Sequence, residues 1–176
     1  KSNTTGGNNT AVGDDALRAN TTGTQNVAVG YEAGRNNTSG GPFTFVGYQA
    51  GFNKGDNGSG EGTAVGYQAL YASGGPLRNT AVGYQAMRNT TGTGNIAIGK
   101  ETAKSNTSGV RIIAIGAEAY DGADTENDNL AIGEGAIGGS VDGGEYNVAI
   151  GNYVLDALTS ADYNSVIGYG AGGAIN

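Results

Sequence analysis

Glycine returns along this chain at Gly13, Gly30, Gly47, Gly66, Gly83, Gly99, Gly116, Gly133, Gly151 and Gly168, each time closing one phrase: Asn or a neighbour, an aliphatic residue or Thr, usually Ala, then Val or Ile. The intervals are 17, 17, 19, 17, 16, 17, 17, 18 and 17 residues. A fixed period of this size marks supersecondary units that cannot bury an apolar face alone and are completed by their neighbours. The spacing therefore predicts a solenoid, with residues 1–176 as one continuous repeat array.

Within each unit the phrase reads as a short strand, in which alternate side chains take opposite faces. Val12, Val29, Val46, Val65, Val82, Ile98, Ile115, Ile132, Ile150 and Ile167 share one phase. They are expected to form a structural ladder along the interior. The slot two residues earlier holds Thr10, Thr44, Thr63 and Thr80, then Ile96, Ile113, Leu130 and Val148. It is expected on the same inner side, which argues against a regular hydroxyl face for ice or mineral. The opposite slot is Ala in eight units, with Phe45 and Val166 the exceptions. Ala is a poor strand former, so its repetition implies close approach by another chain or by another layer of this one.

The corner glycine lets the backbone bend, and the small residue three positions later is expected to open a second short strand. The remainder of each unit is rich in Asn, Thr, Ser, Gly and Asp, which make turns. Length variation falls there, the longest loop being Asn53 to Gly60. The expected fold is all-β, a parallel β-solenoid of ten ~17-residue coils about 48 Å long.

Leu, Ile, Val and Phe total 30 of 176 residues. So few large apolar groups do not easily offset about 1–2 kcal/mol of backbone entropy per residue, so a partner surface is expected. There is no Cys, His or Trp, which excludes disulfides, thiol chemistry and imidazole ligation. No run approaches a membrane span and no signal peptide is visible. The chain opens at Lys1 in mid-pattern and reads as a mature product or an excised segment of a longer fibre. Residues 1–111 hold nine basic and six acidic groups, whereas residues 112–176 hold ten acidic and none basic. That asymmetry disfavours nucleic acid and suggests polarity along the long axis.

The phrases Asn79-Thr80-Ala81-Val82-Gly83, Asn95-Ile96-Ala97-Ile98-Gly99 and Asn147-Val148-Ala149-Ile150-Gly151 resemble the YadA-like head repeats of trimeric autotransporter adhesins. The fuller run Thr80-Ala81-Val82-Gly83-Tyr84-Gln85-Ala86 is similar to repeats of bacteriophage tail fibres. The similarity covers nearly the whole chain, although the coil is longer than in the adhesin head. The resemblance implies a left-handed β-roll assembled as a homotrimer and displayed outside the cell, on a cell or virion surface, for attachment.

Tyr31, Tyr48, Tyr67 and Tyr84 follow the corner glycine and form a candidate ligand surface, either a platform for sugar rings or a stacking ladder. Asp124, Glu126 and Asp128 alternate in one loop and could hold calcium through hard oxygen donors. The run lacks the EF-hand pattern, so a solvated acidic loop is the competing reading. Asp56 to Glu61 is a weaker version of the same feature. No catalytic constellation is present and no other cofactor is implied; the chain is expected not to be an enzyme. The function expected is a structural and adhesive fibre segment whose partners are itself and a cell-surface glycan or protein receptor. The alternative is a filament subunit that polymerises head to tail.

Overall fold

Each repeat contributes one strand. The computed structural model describes residues 3–53, 61–74 and 78–173. Strands β1 (Thr10–Val12), β2 (Val27–Val29), β3 (Phe43–Val46), β4 (Gly62–Val65), β5 (Asn79–Val82), β6 (Ile96–Ile98), β7 (Ile113–Ile115), β8 (Leu130–Ile132), β9 (Val148–Ile150) and β10 (Ser165–Ile167) pair in chain order. They make a single ten-stranded parallel sheet, the wall of a solenoid with turns of about 17 residues. Register is strict: Ala11 lies beside Ala28, Ala64 beside Ala81 and Ile132 beside Ile150.

The strand alternation faces the opposite way from the expectation. Ala28, Ala64, Ala81, Ala97, Ala114, Ala131 and Ala149 are fully buried. Val12, Val29, Ile98 and Ile167 are exposed, and Val46, Val65, Val82, Ile115, Ile132 and Ile150 are half-buried on the outer side. The ladder of Val and Ile is thus in register but not interior, and the Thr-containing slot two residues earlier shares its outer face. The cause is the thinness of the coil. The far wall supplies Ala33, Ala50, Ala69, Ala86, Ala119 and Ala136 to the same buried cluster, and a branched side chain between two such walls would overpack. What approaches the strand alanines is another layer of the same chain.

The exception Phe45 supports this reason. Its ring fills space that neighbouring coils give to Leu17, Leu70 and Met87, and the equivalent positions in its own and the preceding coil are Gly51 and Gly34. A Cβ on Gly34 would lie 2.8 Å from the ring, and one on Gly51 would be closer still. Phe43 stacks on Phe45 with centroids 5.2 Å apart.

The expected second strand is absent from the described residues; its place is taken by consecutive tight turns. In the first coil Ala16 N–H donates to Gly13 O, Arg18 N–H to Asp15 O and Asn20 N–H to Leu17 O, while Leu17 and Ala19 donate instead to Ala33 and Arg35 of the next coil. Asp15 and Leu17 have φ of 56° and 47°, and equivalent residues recur, such as Gln85 at 53° and Met87 at 45°. Positive φ at the third residue is the arrangement of a type II turn. The small residue still turns inward, as expected. At the corner, the ten repeating glycines have φ between 124° and 142°, and a Cβ on Gly13 would meet the carbonyl oxygen of Gly30 at 2.5 Å.

Buried Asn residues tie the two walls together. Asn95 Nδ2 donates to Gly109 O at 2.8 Å across its own coil, and Asn95 Oδ1 accepts from Ile112 N–H of the next coil at 2.9 Å. Asn26 and Asn147 repeat the pattern. A second tie runs through the loops, where Thr21 Oγ1 donates to Thr38 O and Thr107 Oγ1 to Asp124 O, both at 3.0 Å. Of the loop expected to be longest, Asn53 to Gly60, residues 54–60 lie outside the described residues, and with them all of the acidic run Asp56 to Glu61 except Glu61.

Candidate functional site

An outer sheet face two ranks deep is the most distinctive surface of the coil. The first rank runs Thr10, Val27, Thr44, Thr63, Thr80, Ile96, Ile113, Leu130, Val148, Ser165, and the second is the Val and Ile ladder. Fifteen of these twenty positions are aliphatic and five carry hydroxyls, so the face is apolar rather than a hydroxyl lattice. None is charged. Strand spacing and a strip about 10 Å wide give it an area on the order of 400–500 Å².

One long border of this face is aromatic. Tyr31, Tyr48, Tyr67 and Tyr84 stack with successive centroid distances of 5.3, 5.1 and 5.1 Å and interplanar angles of 20°, 7° and 9°. Each ring remains between 41% and 46% exposed. The column arises because parallel strands in register place equivalent residues one strand spacing apart. It stops at Lys100, which occupies the same position in the next coil and reaches Glu118 at 2.8 Å. Stacking closes the ring faces against each other, so edges and hydroxyls are what the column presents. A pyranose seeking an open aromatic face finds none between the rungs.

Beside the tyrosines lies an amide column that the sequence reading passed over. Gln49 Nε2 donates to Glu32 Oε2 at 2.7 Å, Gln68 Nε2 to Gln49 Oε1 at 2.9 Å and Gln85 Nε2 to Gln68 Oε1 at 3.1 Å. The signal was available, because Gly-Tyr-Gln recurs in phase at Gly47, Gly66 and Gly83. Glu32 raises the neighbouring Tyr31 hydroxyl above its ordinary pKa through its charge. On the next turn Phe52 and Tyr71 stack at 5.0 Å between the guanidinium groups of Arg35 and Arg88.

The three acidic loop residues take separate directions. Glu126 is buried, and its carboxylate accepts from the N–H groups of Asp124, Thr125 and Gly143 and from Thr125 Oγ1, all at 3.1–3.2 Å. Asp128 is held by Arg111 at 2.6 Å on both oxygens, and those hydrogen bonds keep its carboxyl below the usual range. Asp124 is exposed. Glu126 thus serves as a loop brace and Asp128 as a tie between coils. Among the described residues no three acidic side chains converge in a way that could hold a metal ion.

Two other groups are electrostatically unusual. Burial pushes the Tyr120 hydroxyl well up; it donates to Glu126 O at 3.2 Å and accepts from Asn129 Nδ2 at 2.9 Å. Burial also raises the Asp121 carboxyl, whose Oδ1 is enclosed without a hydrogen-bond partner. Among the described residues no helix is long and apolar enough to cross a membrane. Comparison with known protein families, curated proteins and solved structures finds no match to this chain.

Proposed function

We propose that this chain is an extracellular fibrous structural and adhesion protein. In this reading copies associate laterally through the outer sheet face, as a homotrimer, and present the loops to a cell-surface receptor. The observation that carries it is the uncharged, mainly aliphatic strip running the length of ten strands. The strip matches the largest apolar patch of an ordinary monomer, about 300–600 Å² and often functional, and here the coil's own core is already complete behind it. The resemblance to adhesin heads and phage tail-fibre repeats is consistent with the reading. It also suggests the trimer and a place on a cell or virion surface. Recognition falls to the loops, with the tyrosine edges as a secondary surface for a glycan or a protein.

The test is native mass against concentration for the wild type and for the double variant Val82→Asp, Ile98→Asp. Both side chains point outward, so the variant should keep its circular dichroism and lose self-association. A wild type that stays monomeric at high concentration would refute the reading. Loss of fold in the variant would show that these positions are internal.

A second reading, head-to-tail polymerisation into a filament, has one observation in its favour. Residues 1–111 hold nine basic and six acidic groups and residues 112–176 hold ten acidic and none basic, so opposite ends of two copies attract one another. Electron microscopy separates the two, since filaments would be of indefinite length and trimers would be short rods.

A further inference from the structure

We infer that the tyrosine column is a site of oxidative cross-linking, at which one-electron oxidation joins successive coils through dityrosine. The first support is geometric. Tyr31, Tyr48, Tyr67 and Tyr84 place each phenol 5.1–5.3 Å from the next, nearly parallel and exposed enough to swing within the column. Tyr146 and Tyr163 make a second such pair at 4.9 Å. The second support is compositional. The chain has no Cys, Trp or His and a single Met, and that Met87 is fully buried. The usual sinks for oxidising equivalents are missing or enclosed, so a phenoxyl radical formed on the surface can pass only to another tyrosine. The inference rests on ring geometry and does not depend on the lateral association proposed above.

The chemistry needs an external oxidant, a hydroperoxide acting through a haem peroxidase. Each of two tyrosines gives up one electron and its phenolic proton. The two radicals join ortho carbon to ortho carbon, and the hydrogens on those carbons return to the phenolic oxygens. The net change is loss of two hydrogen atoms from the protein, while one hydrogen peroxide becomes two waters. A link from Tyr48 to Tyr67 or from Tyr67 to Tyr84 adds a covalent bond across the column to the backbone connection, core packing and hydrogen bonds that already join adjacent coils.

The full chain at low micromolar concentration is treated with peroxidase and hydrogen peroxide and read by dityrosine fluorescence, denaturing gel and peptide mapping. The expected products are links within one chain at 31–48, 48–67, 67–84 and 146–163, with the fully buried Tyr120 unmodified. The variant Tyr48→Phe, Tyr84→Phe keeps stacked rings but leaves Tyr31 and Tyr67 two coils apart. It should lose all links in the column while its melting curve is unchanged. Undiminished dityrosine in that variant would overturn the inference. So would products dominated by links between chains through Tyr163 and Tyr169, the most exposed tyrosines at 75% and 79%, because exposure and not stacking would then govern the reaction.

Discussion

Asn95→Ala is the sharpest probe of how the coils hold together. The carboxamide is 1% exposed and serves two partners, Gly109 O across its coil and Ile112 N–H in the next. Alanine leaves Ile112 N–H buried and unpaired, and leaves Gly109 O with only the longer bond from Asn106 Nδ2 at 3.3 Å. An unpaired buried donor costs about 1–3 kcal/mol and the lost bond to Gly109 O about 1 more, so the variant should lose about 2–4 kcal/mol. Against a total of about 5–15 kcal/mol for a folded domain this is a large fraction. In a solenoid, where each coil touches only its neighbours, the loss should also divide one transition into two. Urea unfolding followed by circular dichroism reads both effects. The control is Asn36→Ala, which removes one exposed 3.3 Å contact to Asn53 and should cost well under 1 kcal/mol. Asn95→Asp adds a further check: it keeps an acceptor for Ile112 but sets an oxygen against Gly109 O, so it should destabilise at neutral pH and less so once protonated. Equal midpoints for Asn95→Ala and Asn36→Ala would refute the reasoning.

Phe45→Ala should cost about 3–5 kcal/mol by leaving a cavity, and Gly51→Leu should also destabilise by meeting the Phe45 ring. Combined, they should be more stable than the sum of the single effects, as read by a double-mutant cycle in urea; additivity would show that the ring and the glycine are not coupled. Asp121→Asn tests the enclosed carboxylate. Its folded pKa is raised, so the penalty is absent below the unfolded carboxyl pKa of about 3.9 and fully present above the raised folded value. The substitution should therefore raise the thermal midpoint at pH 7 and leave it unchanged near pH 3. A variant less stable at pH 7 would mean that the charged form is favoured by a partner.

The acidic loop shows why site chemistry was less legible than architecture. Asp124, Glu126 and Asp128 are spaced like a ligand set, but spacing does not reveal that Glu126 turns inward onto backbone N–H groups or that Arg111, 17 residues away, claims Asp128. Such partners come from the adjacent coil and become visible only once coils are stacked. The tyrosine column was legible for the converse reason. Its members share a phase, and parallel register converts shared phase into contact without further information.

Periodicity alone determined that the chain winds, that its strands are parallel and in register, and that Ala and Val or Ile take opposite sides, because a repeat of about 17 residues with fixed phase permits little else. Tertiary structure decided which side is in. Alternation is symmetric, and only the distance between the two walls, set by Ala facing Ala, makes the methyl the inner group and the branched chain the outer one. It also decided the turn segment. Gln85, Met87 and their equivalents have no marked local preference for positive φ, at a cost on the order of 1–2 kcal/mol per residue. They adopt it because alternate amides can then reach the next coil, a gain that exists only when the neighbour is already there.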